Sequence, residues 1–176
     1  MLKKVLLDNQ EMQLRQSDLP ILIHGEEGSG ASLFTMTLLG EFYFQGLNVV
    51  ALTGFSMASK KFVELTGEHD NVHFFTKEES DAFIKFVNKI THLSDYILLI
   101  KNIELINEET FESVRDFNNV IISGDINKCS YKENLSQMAF NAKIYFSPLS
   151  EALPEIKKYQ GLLVSENRRG IISLES

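Results

Sequence analysis

Residues 23–34 of the chain read IHGEEGSGASLF, a glycine-rich stretch that is flanked by apolar residues. Loops that bind phosphate groups follow the pattern G-x-x-x-x-G-K-[ST], in which backbone N–H groups and a lysine face the phosphates. Gly25, Gly30 and Ser32 occupy three of the four defining positions. The position that the pattern reserves for lysine is Ala31. The stretch therefore predicts a phosphate-binding loop without its usual cation.

The candidate loop lies between a predicted strand and a predicted helix. Residues 19–25 (LPILIHG) are typical of a buried strand, and residues 31–44 (ASLFTMTLLGEFYF) carry apolar side chains around a helix. This strand–loop–helix context makes the pattern credible, because glycines let backbone N–H groups approach a phosphate closely. The candidate binding residues are those of the loop and the first turn of the helix: Gly25, Gly28, Ser29, Gly30, Ala31 and Ser32.

Strands and helices alternate along the rest of the chain. Further strands are predicted at residues 47–54, 71–76, 96–102, 118–125 and 142–148, and further helices at residues 56–67, 77–93 and 107–117. Residues 161–175 contain two strand-like runs around a polar turn at residues 166–170. We therefore expect an α/β fold, with a mainly parallel sheet, helices on both faces and a C-terminal β-hairpin. Because no linker, repeat or low-complexity segment interrupts it, residues 1–176 are predicted to form a single domain.

The second half of a nucleotide-hydrolysing site is an apolar strand that ends in two carboxylates, one for Mg²⁺ and one that polarises water. The candidate strand is YILLIKN at residues 96–102, and its apolar run is followed by Lys101 and Asn102. Both expected carboxylates are missing, and alternation past the strand end does not clearly return Glu104 to the site. The sequence therefore predicts no catalytic residue and no hydrolysis of ATP by the usual mechanism.

Lys101 is open to two interpretations. Its ammonium group would lie at the end of a strand beside the loop, where it could replace the missing lysine and bind ATP or phosphate without Mg²⁺-dependent turnover. Alternatively, Lys101 pairs with Glu26 or Glu27 and simply holds a loop that binds nothing. We favour the second interpretation, because charge compensation is more common than a surrogate lysine.

Composition and charge exclude several classes of protein. The chain has 176 residues, of which 44% are hydrophobic, and a chain of this size buries a core without disulfides. A net charge of −7 argues against direct binding to nucleic acid, which requires a basic surface. The single cysteine, Cys129, and four scattered histidines predict no metal site. No apolar run reaches the ~20 residues of a membrane-spanning helix and no signal peptide is recognisable, so we expect a cytoplasmic chain.

A few side chains have both a structural and a functional interpretation. We expect His24 to pack or hydrogen-bond inside the strand end, and Asp125 to cap a turn rather than contact a nucleotide. Arg168 and Arg169 are predicted to lie in a solvated turn, with an arginine finger acting on a neighbouring subunit as the alternative. The 13 phenylalanines are predicted to be mostly core, with an exposed patch for a partner as the alternative.

Together, these features resemble the FtsK/SpoIIIE type of P-loop ATPase domain, and within it the degenerate C-terminal ATPase domain of type VII secretion coupling proteins. Residues 5–19 (VLLDNQEMQLRQSDL) are similar to the segment that precedes the loop in that family. Residues 143–148 (KIYFSP) and 157–175 (KKYQGLLVSENRRGIISLE) are similar to its last strand and closing hairpin. The resemblance implies a three-layer RecA-like P-loop NTPase fold. The sequence departs from the family's motifs at Ala31, Lys101 and Asn102, and these departures affect the expected catalysis but not the expected fold.

The resemblance also implies a function in a Gram-positive membrane machine that carries several ATPase domains in tandem. There the domain would be a substrate-docking and regulatory module, whose partners are small helical secreted proteins and the neighbouring ATPase domains. Assembly into a hexamer is left as an open alternative. It would work at the inner face of the cell membrane, with the membrane anchor outside this sequence. Two alternatives remain: an unconventional or weak ATP-binding protein of the RecA/FtsK/AAA+ group involved in DNA handling, and a stand-alone inactive partner of an active ATPase.

Overall fold

The structure of the protein is a computed structural model that describes residues 2–146, 157 and 159–176. The strands in these residues are β1 (Val5–Leu7), β2 (Gln10–Glu11), β3 (Ile21–His24), β4 (Asn48–Thr53), β5 (Val72–Thr76), β6 (Tyr96–Lys101), β7 (Val120–Gly124), β8 (Ala142–Tyr145), β9 (Gly161–Ser165) and β10 (Arg169–Leu174). The helices are α1 (Ala31–Phe44), α2 (Met57–Thr66), α3 (Ser80–Ile90), α4 (Glu108–Val114) and α5 (Lys132–Ser136). Short 3-10 turns lie at Gln16–Asp18, Lys77–Glu79, Ile103–Leu105 and Ile126–Lys128.

Six of the strands form a parallel sheet in the order β8-β3-β7-β6-β4-β5. The strand before the loop, β3, lies between β7 and β8, so it is covered on both edges. The predicted parallel sheet is confirmed, and so is the α/β fold class. Residues 147 and 148, which the sequence assigns to the strand at residues 142–148, lie outside the described residues.

The remaining four strands extend the same sheet in antiparallel fashion, in the order β9, β10, β1 and β2 beyond β8. The C-terminal hairpin β9–β10 is confirmed. The strands β1 and β2 are not predicted by the sequence, because they are three and two residues long and their partner β10 comes from the opposite end of the chain. Val5 pairs with Leu174 and Leu7 with Ile172, so the two ends of the chain meet in one sheet.

Helices cover both faces of the sheet, as predicted. Alternate residues of each buried strand point to opposite faces: in β6, Ile97 and Leu99 join the core under α1 and α2, whereas Leu98 and Ile100 join the core under α3, α4 and α5. Strands buried on both faces read as continuous apolar runs, which is why the sequence pattern identifies them.

The observed helix boundaries agree with the predicted ones where a glycine or a capping residue sets them. The helix α1 begins at Ala31, after Gly30 at φ 94°, and α2 ends at Thr66, just before Gly67, the residue predicted to stop it. The helix predicted at residues 77–93 begins with a 3-10 turn, because Thr76 and Glu79 form a capping box. The helix α5 is not predicted, since its five residues are too short to show a periodic pattern.

The carboxyl ends of the parallel strands meet at one edge of the sheet. His24 of β3 lies in register with Gly124 of β7, and Lys101 of β6 lies in register with Ser123 of β7. The loop that follows β3 therefore faces the residues that follow β6 and β7. This is the edge at which ligands bind in open α/β sheets.

Candidate functional site

A cleft of about 570 Å³ opens at the carboxyl edge of the sheet. One wall is the loop between β3 and α1, and the opposite wall is formed by the segments that follow β6 and β7. Of the loop residues predicted to bind, Gly25, Gly28, Gly30, Ala31 and Ser32 line this cleft, and Lys101 lines it from the other side. Ser29 is not among the lining residues; its hydroxyl lies 3.4 Å from the N–H of Ala31 inside the loop.

The backbone conformation of the loop requires glycine at several positions. Gly28 and Gly30 adopt φ values of 79° and 94°, the left-handed region that side chains disfavour. Gly25 has no such φ, but a Cβ there would lie 2.3 Å from the Cβ of Ala31. The loop therefore turns tightly onto α1, whose first-turn N–H groups lack partners within the helix.

Ala31 stands at the first position of α1 and is 7% exposed. Its methyl group lies against Gly25 and lines the cleft without a charge or a hydrogen-bonding group. Thr35, one turn later, donates a hydrogen bond from its hydroxyl to the carbonyl oxygen of Ala31 at 2.8 Å. The loop position that normally supplies a cation is thus a small apolar contact.

Lys101 is the last residue of β6 and is only 8% exposed. Its Nζ donates to Oδ1 of Asn102 at 3.3 Å. Burial lowers the pKa of Lys101, and the carboxylate of Glu104 raises it in part. Among the ion pairs of the described residues, none joins Lys101 to Glu26 or Glu27. The described residues therefore give no support to the pairing of Lys101 with one of these acids, and a loop that binds nothing stays a prediction.

Glu104 lines the cleft, although strand alternation did not predict it there. The 3-10 turn at Ile103–Leu105 follows Asn102, whose φ of 62° reverses the chain direction after β6. The reversal brings Oε2 of Glu104 to accept a hydrogen bond from the N–H of Asp125 at 3.0 Å. Strand alternation does not extend through a left-handed residue, and this is why it failed to locate the carboxylate.

Asp125 acts as a turn cap, as predicted. Its Oδ1 accepts a hydrogen bond from the N–H of Asn127 at 3.1 Å, and this bond caps the 3-10 turn Ile126–Lys128. Its Oδ2 lies 3.8 Å from Nζ of Lys128. The carboxylate is 6% exposed and lines the cleft, but both of its oxygens contact donors of the protein itself.

His24 is fully buried at the end of β3 and hydrogen-bonded inside the fold, as predicted. Its Nδ1 accepts a hydrogen bond from the N–H of Ile126 at 3.0 Å, which assigns the proton of the neutral ring to Nε2. Burial lowers the pKa of His24, and the nearby carboxylate of Asp125 raises it in part. This hydrogen bond therefore links the end of β3, just before the loop, to the segment that follows β7.

Two aromatic side chains at the mouth of the cleft were missed by the sequence analysis. Phe55 is 60% exposed and Tyr159 is 59% exposed, and both line the cleft together with the half-exposed Leu105. The ring of Tyr159 lies over the loop, since a Cβ on Gly30 would come within 3.0 Å of its Cδ1. Tyr159 is far from the loop in sequence, so no local pattern signals this contact.

The remaining predicted residues lie away from the cleft. Arg168 forms an ion pair with Asp18 in the segment before β3, rather than standing free in a solvated turn. Arg169 is exposed and begins β10. Cys129 is buried with a free thiol, and burial raises its pKa. Of the phenylalanines in α1, Phe34 and Phe42 are buried core, whereas Phe44 is 60% exposed.

Neither a metal-binding cluster nor a membrane-spanning helix is found in the described residues. The part of the chain that the structure describes contains no group of three or more histidine, cysteine, aspartate or glutamate side chains placed to hold a metal ion. None of the helices in residues 2–146 and 159–176 combines the length and the apolar character that crossing a bilayer requires.

Comparison with solved structures identifies the fold. The cytoplasmic domain of EssC superposes on 99% of this chain with a TM-score of 0.61 at 13% identity. The cytoplasmic domain of the type VII secretion ATPase EccC from Thermomonospora curvata covers 99% of the chain with a TM-score of 0.64 at 9% identity, and VirB4 from Thermoanaerobacter pseudethanolicus covers 99% with a TM-score of 0.63 at 10% identity. The chain has the fold of a RecA-like P-loop ATPase domain.

The chain spans only part of two of these structures. It corresponds to 43% of the EssC chain and 26% of the EccC chain, but to 97% of VirB4. No protein-family model matches the sequence, and no curated protein is significantly similar to it. At these identities the likeness establishes the fold alone.

Proposed function

We propose that this chain is a P-loop domain that does not hydrolyse ATP and that serves as a regulatory and substrate-docking module of a type VII secretion ATPase. The proposal rests on three replaced residues at the cleft. At the cleft, Ala31 stands where the loop lysine belongs, and Lys101 and Asn102 stand where the two strand-end carboxylates belong. The loop keeps its backbone shape and Ser32, but the lysine and both strand-end carboxylates are replaced.

The replaced groups are those that act on the transition state. In a hydrolytic site the loop lysine and Mg²⁺ neutralise charge on the β- and γ-phosphates, and a carboxylate orients or polarises the attacking water. Lys101 places a positive charge where Mg²⁺ would need a negative ligand, and an ammonium group repels a metal ion. Glu104 and Asp125 are the carboxylates of the opposite wall, and both accept hydrogen bonds from backbone N–H groups.

The exposed apolar rim of the cleft supports a docking role. Phe55, Leu105 and Tyr159 border the cleft, and Met57, two residues after Phe55, is 72% exposed. Exposed apolar side chains that cluster beside a groove are characteristic of surfaces that bind a protein partner. We propose small helical secreted proteins and neighbouring ATPase domains of the same machine as the partners, at the inner face of the cell membrane.

Two further aspects belong to the same proposal. The chain is one domain over residues 1–176, consistent with the continuous sheet that joins β1 and β2 to β10. Its fold likeness to EssC and EccC supports a place beside other ATPase domains, because it corresponds to less than half of each of those chains. A direct role on nucleic acid is not proposed, since the net charge is −7.

A pull-down tests the docking role. The immobilised chain is exposed to purified small helical secreted proteins with and without their C-terminal signal, and retention is measured. We expect retention that requires the signal and that falls at least about tenfold when Phe55 and Tyr159 are both changed to alanine. Phe44→Ala is the matched control, because Phe44 is equally exposed but lies at the end of α1. Retention that ignores the signal, or an equal loss in the control, would refute docking at this rim.

A further inference from the structure

We propose that the chain self-associates through β5, whose outer edge pairs in antiparallel fashion with β5 of a second copy. The strand β5 is the last strand of the sheet, and β4 is its strand partner among the described residues. Pairing of the two edges joins two sheets into one across a two-fold axis. The inference goes beyond the proposed function, because none of the residues of β5 lines the cleft.

The strand β5 directs free backbone groups away from β4. The N–H of Val49 in β4 donates to the carbonyl oxygen of Asn71, which fixes the side of the strand that faces β4. Because backbone groups alternate in direction along a strand, Val72 and Phe74 direct their N–H and C=O groups to the open edge. The next outward N–H, that of Thr76, is already bound within the capping box that follows β5. The free edge is therefore centred on the first three residues of the strand.

The two edges of the sheet differ in how they are protected. Natural sheets guard an exposed edge with a very short strand, a charged side chain, proline or a bulge. At the far edge, β2 has two residues, and its Glu11 forms an ion pair with Lys4. The strand β5 has five half-exposed residues, VHFFT, with no lysine, acidic residue or proline and no break in its register with β4. Its edge is suited to pairing with another strand.

A second copy of β5 is complementary to this edge. When two β5 strands run antiparallel with His73 opposite His73, Val72 of each copy exchanges hydrogen bonds with Phe74 of the other, and the outward groups of both residues are paired. Asp70 and Lys77 flank the strand, are exposed and belong to none of the ion pairs of the described residues. The antiparallel arrangement brings the Asp70 end of each copy to the Lys77 end of the other, whereas a parallel one places like charges together.

Apolar side chains beside the edge add to the main-chain pairing. On one face of the sheet, a pocket of about 150 Å³ lies between α2 and β5, and its walls include Val72 and the 39% exposed Val63. The proposed register sets Phe74 of the second copy opposite Val72, next to this pocket. On the other face, the ring centroids of His73 and Phe86 lie 4.8 Å apart, and the two-fold axis sets a second such pair beside the first. The dimer therefore removes apolar surface from water on both faces.

Sedimentation velocity of the full chain over a range of concentrations tests the proposal. We expect a monomer–dimer equilibrium with a dissociation constant of about 10–100 µM, in keeping with a small interface. Val72→Pro removes one outward N–H per copy, at a strand position where proline is tolerated, and should weaken association at least about tenfold. Asp70→Lys should weaken it about threefold to tenfold, and the addition of Lys77→Asp should restore it. Glu166→Lys, in the exposed turn between β9 and β10, makes the same change of charge and should have no effect.

A cysteine at the two-fold axis tests the register and does not depend on how well the proline variant folds. His73→Cys places two thiols at directly opposed positions, about 4.5 Å apart between Cα atoms, which is within the range of a disulfide. We expect oxidation with copper–phenanthroline to give a covalent dimer. Asn71→Cys is the matched control, because its symmetry mate lies on the order of 13 Å away along the strand. The native Cys129 is buried and does not compete.

Two results would overturn the proposal. One is a chain that stays monomeric up to about 1 mM, the weakest affinity at which the pairing could still be measured. The other is a dimer whose affinity is unchanged by both Val72→Pro and Asp70→Lys, since such a dimer uses a different surface.

Discussion

The ammonium group of Lys101 donates a hydrogen bond to Oδ1 of Asn102 at 3.3 Å, so the two residues that replace the strand-end carboxylates contact each other. The pair occupies the edge of the cleft that faces the loop between β3 and α1. A hydrolytic site would place a metal ligand and a water-polarising carboxylate there. The cleft instead presents a buried lysine and an amide at this position.

Restoring the loop lysine should improve anion binding without creating an ATPase. Ala31 lines the cleft, so Ala31→Lys would place a second ammonium group beside the loop N–H groups. We expect pyrophosphate to bind about tenfold more tightly in titration calorimetry. Mg²⁺-dependent ATP hydrolysis should stay absent, because the strand-end carboxylates are still missing. Ala31→Met, which has a long side chain and no charge, is the control and should not tighten binding.

Removing the charge of Glu104 should also favour the anion. Its carboxylate lines the cleft and partly offsets the charge of Lys101, so Glu104→Gln should tighten pyrophosphate binding by about threefold to tenfold. The amide oxygen of glutamine can still accept the N–H of Asp125, so the fold should be kept. Glu109→Gln, at an exposed position of α4, removes the same charge away from the cleft. An unchanged or weaker affinity in Glu104→Gln would argue against an anion beside Lys101.

The stability of the fold should depend on pH through Glu41. This residue of α1 faces the strands β1 and β2 beside the Lys4–Glu11 ion pair, and its Oε2 is buried without a hydrogen-bond partner among the described residues. Burial raises the pKa of Glu41 from 4.5 to about 7, and the carboxylate of Glu11 adds to the shift. Because the folded state holds the proton more tightly, the free energy of unfolding should fall as pH rises from about 4.5 to about 7 and then level off.

Glu41→Gln isolates that dependence. The neutral amide removes the cost of burying the charge, so the variant should be more stable than the unmodified chain by roughly 1–2 kcal/mol at pH 8, a figure reduced for partial solvent screening. The difference should shrink as the pH falls towards 5. Urea denaturation at the two pH values measures it, with Glu64→Gln on the exposed side of α2 as the control. A stability difference that does not change with pH would contradict the account.

The ion pair between Arg168 and Asp18 should hold the C-terminal hairpin against the segment before β3. Both side chains are partly buried, and Asp18 also accepts the N–H of Arg15 at 2.7 Å. A double-mutant cycle with alanine at both positions should give a coupling of about 1 kcal/mol. In the pair of Arg115 and Glu112 the carboxylate is more exposed than that of Asp18, and the two residues lie within one helix turn, so the coupling should be below about 0.5 kcal/mol. Equal couplings would show that the hairpin contact contributes nothing beyond a surface pair.

Much of the fold follows from the sequence, because buried parallel strands and the glycine loop leave local patterns. The predicted helix at residues 31–44 coincides with α1, and the strand that ends in Lys101 is found where its apolar run predicts it. The strands β1 and β2 are not predictable in this way, since two or three residues carry no periodicity and their partner is β10.

The cleft is less predictable than the fold, because some of its residues reach it through turns or from distant parts of the chain. The loop glycines and Lys101 are identified by spacing and by position at a strand end. Glu104 enters through a left-handed turn at Asn102, and Tyr159 arrives from the far end of the chain to lie over Gly30. Such contacts depend on how loops fold back, and no local pattern of residue types encodes them.

The most direct test of the central claim is the rate of Mg²⁺-dependent ATP hydrolysis by the purified chain. Phosphate release is measured over several hours at increasing protein concentration, with and without the candidate partners, and alongside the Lys101→Ala variant. We expect no release above the buffer background in any of these conditions. Release that scales with protein concentration, co-elutes with the chain on gel filtration and requires Mg²⁺ would contradict it.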